Sequence, residues 1–243
     1  MMLDPIHNAH GERIAFTFVP GQSDRRDIVV IGHGLTSDKE RPWSVGLSNA
    51  LRERGIASLR ISFSGNGESG GDFLDSTITK EVEDLGSVLD ALPQWNVSYV
   101  GHSMGGAVGL LRAAKDQRIR NLVSLAAITH SAEFFQHMFG QLGLGEPLLG
   151  KAQCPLGQPL RADLLANQPT LEAARSITVP WLVVHGSSDV VVPVQHSIDL
   201  NAAANGQAEF VLLEGADHSF TQVGLGKLLE TVIPWLADHN AIP

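Results

Sequence analysis

Two serines stand in the pattern Gly-x-Ser-x-Gly, at Gly67-Glu68-Ser69-Gly70-Gly71 and at Gly101-His102-Ser103-Met104-Gly105. A serine hydroxyl is a weak nucleophile until a base takes its proton. It becomes useful on a tight strand-to-helix turn, which lifts the hydroxyl clear of the sheet and aims helix N–H groups at it. The pattern is short and the chain has 25 glycines, so the surroundings of each serine must decide. The apolar run at 97–100 leads straight into Gly101, and Gly105-Gly106-Ala107-Val108-Gly109-Leu110 reads as a helix start with small residues on its packing side. Ser103 therefore has the required setting. Ser69 does not: the strand before it stops near Phe63 and the chain reads as loop to about Thr77, so Ser69 is expected to be a turn serine.

The stretch 65–70 also spells Gly-x-Gly-x-x-Gly, a dinucleotide fingerprint. Its third glycine opens no helix, and Asp84 and Asp90 fall inside a helical stretch instead of at the end of a strand, so no nicotinamide or flavin cofactor is expected. The glycines permit a tight loop near Ser103, and the stretch is expected to wall the site.

A base and an acid to orient it are available. His218 lies in Gly-Ala-Asp-His-Ser-Phe after the last apolar run, and Asp189 in Gly-Ser-Ser-Asp-Val after the run before. The candidate catalytic set is Ser103, Asp189 and His218. Asp217 adjoins His218 and would point elsewhere, and Glu133 is the other acid considered. Acyl transfer also needs two donors for the oxyanion. The N–H of Met104, next to the nucleophile, is one; the N–H of Leu35 is the other, with His33 and Gly34 shaping the turn that presents it and contacting substrate. Among the remaining histidines, His102 is read as tied into the elbow and His185 as packing at a strand end. No Cys pair, His-x-x-x-His or His-Glu-x-x-His spacing suggests a metal.

The elements that must position these groups follow from periodicity. Runs at 28–31, 58–63, 97–100, 122–127, 181–185 and 210–213 read as buried strands, with near-continuous apolar character that fits a parallel sheet covered on both faces. Helices are expected at 78–91, behind the capping residues Ser76 and Thr77, and at 225–239. Another should open with Pro193 in its first turn and stop at Asn205-Gly206. Strand and helix in alternation give an α/β fold with a mostly parallel central sheet, in one domain over 1–243. The rhythm breaks at about 129–178, read as an inserted cap. Its Phe134, Phe135, Met138 and Phe139 lie along one side of a helix, where they either line an apolar acyl or aryl pocket or fold the cap onto the body.

With 26 acidic and 17 basic residues the formal charge is −9, which disfavours nucleic acid. One cysteine, Cys154, allows no internal disulfide, and no stretch is apolar for long enough to enter a membrane. A cytoplasmic protein is the expectation, with a homodimer left open.

In order along the chain, HGLT, FSGNGESGG, GHSMGG, GSSDVVVP and GADHSF resemble the alpha/beta-hydrolase superfamily, whose triad follows the order Ser, Asp, His. Within it, HGLTSDKERPW and SGNGESGGDFLDST resemble small bacterial serine esterases of the cinnamoyl and feruloyl type, and the serine-peptidase-like lipases. Where that family often has Asp and His in the early loop, this chain has Ser62 and Asn66. The resemblance implies the alpha/beta-hydrolase fold, the roles assigned above to Ser103, Asp189, His218, Leu35 and Met104, and a cofactor-independent serine esterase acting on a small-molecule ester with a medium-length or aromatic acyl group. The rivals are an aminopeptidase or amidase, a carbon–carbon bond hydrolase with the same triad, and a non-catalytic ligand receptor.

Overall fold

The structure, a computed structural model, describes residues 3–22 and 26–240. A short antiparallel pair, β1 (Ile6–His7) and β2 (Arg13–Ile14), precedes β3 (Phe16–Val19) and β4 (Asp27–Gly32). Then follow α1 (Pro42–Glu53), β5 (Ala57–Ile61), α2 (Ile78–Asp90), β6 (Asn96–His102), α3 (Met104–Ala113) and β7 (Ile119–Leu125). The stretch expected to be an inserted cap holds α4 (Ser131–Phe139), α5 (Gln158–Leu165) and α6 (Thr170–Ala174). The chain closes with β8 (Trp181–Gly186), α7 (Gln195–Ala203), β9 (Ala208–Leu213) and α8 (Val223–Asn240).

Among the described residues the main sheet has seven strands in the order β3-β5-β4-β6-β7-β8-β9. The six apolar runs form its parallel part, and β3 adds an antiparallel edge against β5. Side chains alternate between the two faces, so an uninterrupted apolar strand feeds both. In β4, Val29 and Ile31 pack with Leu47 and Leu51 of α1 and Leu228 and Val232 of α8. Ile28 and Val30 belong to the opposite cluster, with Val82, Leu85 and Leu89 of α2.

Helix α2 begins where its cap requires: the Thr77 side chain accepts from the N–H of Lys80 at 2.9 Å. A carboxylate oxygen of Asp163, from α5, accepts from the N–H of Ile78 at 2.9 Å and so ties 129–178 to the body. Pro193 lies just before the first turn of α7 and not within it, and Asn205 and Gly206, both at positive φ, end it. Leu148, Leu156, Leu160 and Leu164 join the same apolar cluster as α2, so this region is packed onto the sheet's helical layer. Its α4 rests on α5, where the Ser131 hydroxyl donates to the Leu164 carbonyl at 2.8 Å.

The register places the site. Gly32 is opposite Gly101, His102 opposite Leu125, and Gly186 opposite Leu213. The loops carrying Leu35, Ser103, Asp189 and His218 therefore leave one edge of the sheet, at the carboxyl ends of its parallel strands, where open α/β sheets bind ligands. No helix of the described residues is long and apolar enough to cross a membrane.

Candidate active site

Ser103 occupies the one-residue turn between β6 and α3 with φ 56° and ψ −117°, a backbone state costly for any residue but glycine. The strain persists because neighbours over-determine it. The Ser103 N–H donates to the Leu125 carbonyl at 2.8 Å, and the Ser103 carbonyl accepts from Ile128 and Gly106 at 3.1 and 3.0 Å. Close approach explains the flanking glycine: a methyl at Gly105 would fall 2.3 Å from the His33 carbonyl oxygen. The loop after β4 and the elbow thus touch backbone to backbone. Gly34 makes the same contact from the other side, since a methyl there would come within 2.8 Å of Ser103 Cβ.

His33 fixes the loop from behind. It is buried, its Nδ1–H donates to the Gly34 carbonyl at 2.8 Å, and its Nε2 accepts from the Phe63 N–H at 3.0 Å. Because a peptide is planar and trans, tying the Gly34 carbonyl to His33 turns the N–H of Leu35 the opposite way. Met104 is the first residue of α3, where a helix N–H has no intrahelical acceptor. Burial pushes the His33 imidazole from an ordinary 6.5 down to about 4. A histidine depressed in this way favours the fold fully above pH 6.5, and that contribution is lost as the pH falls from 6.5 towards 4, because only the unfolded chain takes up the proton readily. The span corresponds to about 3 kcal/mol from His33 alone, and His196, also lowered to about 4 by burial, acts in the same direction. Urea midpoints measured across this interval should fall steadily on acidification; a flat profile would contradict the assignment.

The candidate acid and base meet at the sheet edge. His218 Nδ1 lies 2.7 Å from Asp189 Oδ2, and Asp189 Oδ1 accepts from the N–H groups of Val191 and Val192 at 2.8 and 2.9 Å. Burial alone would raise the Asp189 carboxyl, but the hydrogen bonds from His185 and His218 hold it well below the usual carboxylate range. The two loops are stitched together by Ser187 N–H to the Leu213 carbonyl and Ser188 N–H to the Ala216 carbonyl, both at 3.0 Å. With Nδ1 committed to Asp189, Nε2 is the ring nitrogen of His218 left for other partners.

Two histidines support this pair. His102 donates from Nε2 to the His218 carbonyl at 2.7 Å, and its ring lies 4.6 Å from the His218 ring. Burial, then the neighbouring His218, keeps His102 neutral by lowering it well below its ordinary value. His185, expected only to pack at a strand end, instead places Nε2 3.3 Å from Asp189 Oδ2 while donating to the Val192 carbonyl at 2.9 Å. Its Nδ1 accepts from the Ser197 hydroxyl at 2.7 Å, which fixes the tautomer. The signal was the His-Gly-Ser-Ser-Asp spacing: Asp189 N–H bonds back to the Gly186 carbonyl, and the turn brings residues four apart together.

Ser103, His218, Gly34, Leu35 and Phe134 line one cavity of about 150 Å³. Arg41 and Lys151, neither singled out from the sequence, line it too. The other residues proposed for substrate contact lie elsewhere. His33 sits behind the loop, and Phe135 and Met138 turn into the apolar cluster, where Phe135 packs edge-on to Phe139. The helix carrying them presents one aromatic, not three, to the cavity. Glu133 is exposed, and Asp217 is spent locally on the N–H and hydroxyl of Thr221.

Ser69 donates to the Ser62 carbonyl at 2.6 Å and accepts from the Ala15 N–H at 2.8 Å, which makes it a brace for the N-terminal segment. Its loop does not line the cavity, contrary to expectation; it supports the site from behind, through Phe63 and His33. A larger groove of about 460 Å³ between α2, α3 and α6 contains none of these groups. No cluster of metal-ligating side chains occurs among the described residues.

A strand–elbow–helix serine on a mostly parallel sheet, with acid and base on later strand-end loops, defines the class. Residues 27–150 match the model of the alpha/beta hydrolase fold family, and the chain belongs to that family. Among curated proteins it is 22% identical to the mitochondrial palmitoyl-protein thioesterase ABHD10 of Rattus norvegicus, over 84% of this chain and 73% of that one. It is also 22% identical to a monoacylglycerol lipase of Mycolicibacterium smegmatis, over 94% of each chain. Among solved structures, Est1E of Butyrivibrio proteoclasticus with bound ferulic acid superposes with a TM-score of 0.87 at 21% identity, covering 98% of this chain and all of that one.

Proposed function

We propose that the protein is a serine hydrolase of carboxylic esters that works through an acyl-enzyme on Ser103. The family and its thioesterase and lipase relatives support hydrolysis as the reaction. The observation that carries the finer reading is the 2.7 Å contact of His218 with Asp189, in a cavity that His218 shares with a serine on a strained elbow.

In this reading Ser103 Oγ attacks the acyl carbon and passes its proton to His218 Nε2, while the N–H groups of Leu35 and Met104 receive the oxyanion. His218 returns that proton to the leaving alcohol, which frees the acyl-enzyme. Water then loses a proton to His218 and attacks the same carbon; collapse releases the carboxylic acid and restores the Ser103 hydroxyl. A cavity of about 150 Å³ is of the size that holds one aromatic ring. With Phe134 on its wall, it favours a medium-length or single-ring acyl group over a long chain.

Turnover of 4-nitrophenyl esters of graded chain length, methyl ferulate and aminoacyl 4-nitroanilides decides between bond types. Esters should be cleaved at least about a hundredfold faster than anilides, with medium-length or aromatic acyl groups preferred. Faster anilide cleavage would replace the esterase reading with an amidase.

A further inference from the structure

We propose that this site takes esters bearing an anionic substituent, which Arg41 and Lys151 hold beside the reacting bond. The inference rests on the esterase reading for its chemistry and on the cavity's charge for its specificity.

The chain as a whole carries −9, and among the described residues the buried or half-buried Lys39, Arg60, Lys80 and Arg112 are each matched by a carboxylate. On the loop that leads into α1, Lys39 pairs with Glu40 and Glu68 at 2.9 and 2.7 Å, and Arg60 takes the second Glu40 oxygen at 2.8 Å. Asp38 Oδ1 accepts from the Glu40 N–H. Glu40 and Glu68 are committed to Lys39 and Arg60, among the described residues Asp38 accepts only that backbone N–H, and none of the three lines the cavity. Apart from the histidines, the charged residues of the wall are Arg41 and Lys151, both half-buried. Among the described residues neither forms an ion pair. Asp189 offers no compensation, because it is fully covered and already serves two imidazoles.

Each cation is held in place but keeps donors free. Lys151 gives one hydrogen bond, 2.7 Å to the Thr36 carbonyl, and Arg41 one, 3.3 Å to Ser219 Oγ. An ammonium has three N–H donors and a guanidinium five. Both also act electrostatically on the buried His33, as Asp38 does in the opposite sense. Their anchors flank the chemistry, since Thr36 follows the donor Leu35 and Ser219 follows the base His218. A carboxylate reaching either point would exchange water for charge-assisted bonds, two of them parallel at Arg41. An acidic surface with a cationic cavity also repels polyanions while accepting a small anion that has shed its bulk.

The anion can sit on the acyl arm or on the alcohol arm, and matched substrates separate the two. Mono-4-nitrophenyl adipate against 4-nitrophenyl hexanoate tests the acyl arm. For the alcohol arm, 3-butanoyloxy-4-nitrobenzoate is set against 2-nitrophenyl butanoate, each rate being divided by that of hydroxide-driven hydrolysis. At low ionic strength the carboxylated member of at least one pair should show about tenfold higher kcat/KM. That ratio should collapse in Arg41→Met or Lys151→Met, survive in Lys151→Arg, and shrink at high salt. The ratio within a pair is the readout, so a general loss of rate in a variant cancels. Calorimetry with monomethyl adipate and dimethyl adipate makes the same comparison without turnover and stands even if no ester is cleaved. Tighter binding of the monoanion, lost in the methionine variants, supports the proposal. Preference for the neutral member in both pairs, equal affinities, or a ratio indifferent to both substitutions overturns it.

Discussion

Ser103→Ala is expected to lower kcat on 4-nitrophenyl esters by about 10⁴-fold or more while leaving the unfolding midpoint near that of the wild type. The substitution keeps Cβ, and with it the contact with Gly34; it removes only the hydroxyl oxygen. The elbow stays strained and stays braced, because its hydrogen bonds to Leu125, Ile128 and Gly106 are made by backbone. Ser69→Ala should behave in the opposite way. It leaves the Ala15 N–H and the Ser62 carbonyl without the hydroxyl that joins them, which costs about 1–3 kcal/mol of stability, and kcat should hardly change. A kcat that follows Ser69 instead of Ser103 would reverse the assignment of the two motifs.

The second large effect is expected at the acid. In Asp189→Asn the oxygen that accepts from Val191 and Val192 can remain, so the loop should keep its shape. The amide nitrogen then faces His218 Nδ1 and His185 Nε2, both of which now point hydrogens at it. His218 must turn its other tautomer towards Ser103 or leave the pair, and its imidazolium loses the buried carboxylate that stabilises it. A fall of about 10⁴-fold in kcat with little change in KM is the expected result, measured on the same esters at neutral pH. A loss under tenfold would mean that another group orients the base. Because His185 Nε2 is also bonded to the Val192 carbonyl, the variant should remain folded, as thermal unfolding can show.

Much of this arrangement was legible because its signals are local. The strand into Gly101, the small residues after Ser103 and the loop positions of Asp189 and His218 are all visible as residue types at fixed offsets. The parallel strands were readable because each is apolar along its length. Strand β3 was not: Phe16-Thr17-Phe18-Val19 is half-buried throughout and, among the described residues, pairs on one side only, so it carries no continuous run. Helix α1 was also hidden. Its packing face includes Ser44 and Ser48, and Ser48 meets Ser58 of β5 through a buried 2.7 Å hydroxyl pair, which erases the apolar period.

The misplaced site residues have a shared cause. Helical spacing says that Phe134, Phe135 and Met138 lie along one side of α4, but not which of them faces the cavity and which faces α5. His185 and Lys151 belong to the site only through turns that bring distant or curled-back backbone together. Lys151 reaches Thr36, 115 positions earlier, and no pattern in the sequence encodes that contact.

The most direct measurement is the position of the acyl group during turnover. Mixing the protein with a 4-nitrophenyl ester, quenching in acid and digesting with trypsin separates the two candidate serines, since Ser103 lies in peptide 81–112 and Ser69 in peptide 61–80. The mechanism predicts a nitrophenol burst and an acyl mass increment on peptide 81–112, at Ser103, absent from Ser103→Ala. Turnover with no acylated peptide, or with the increment on peptide 61–80, would contradict it.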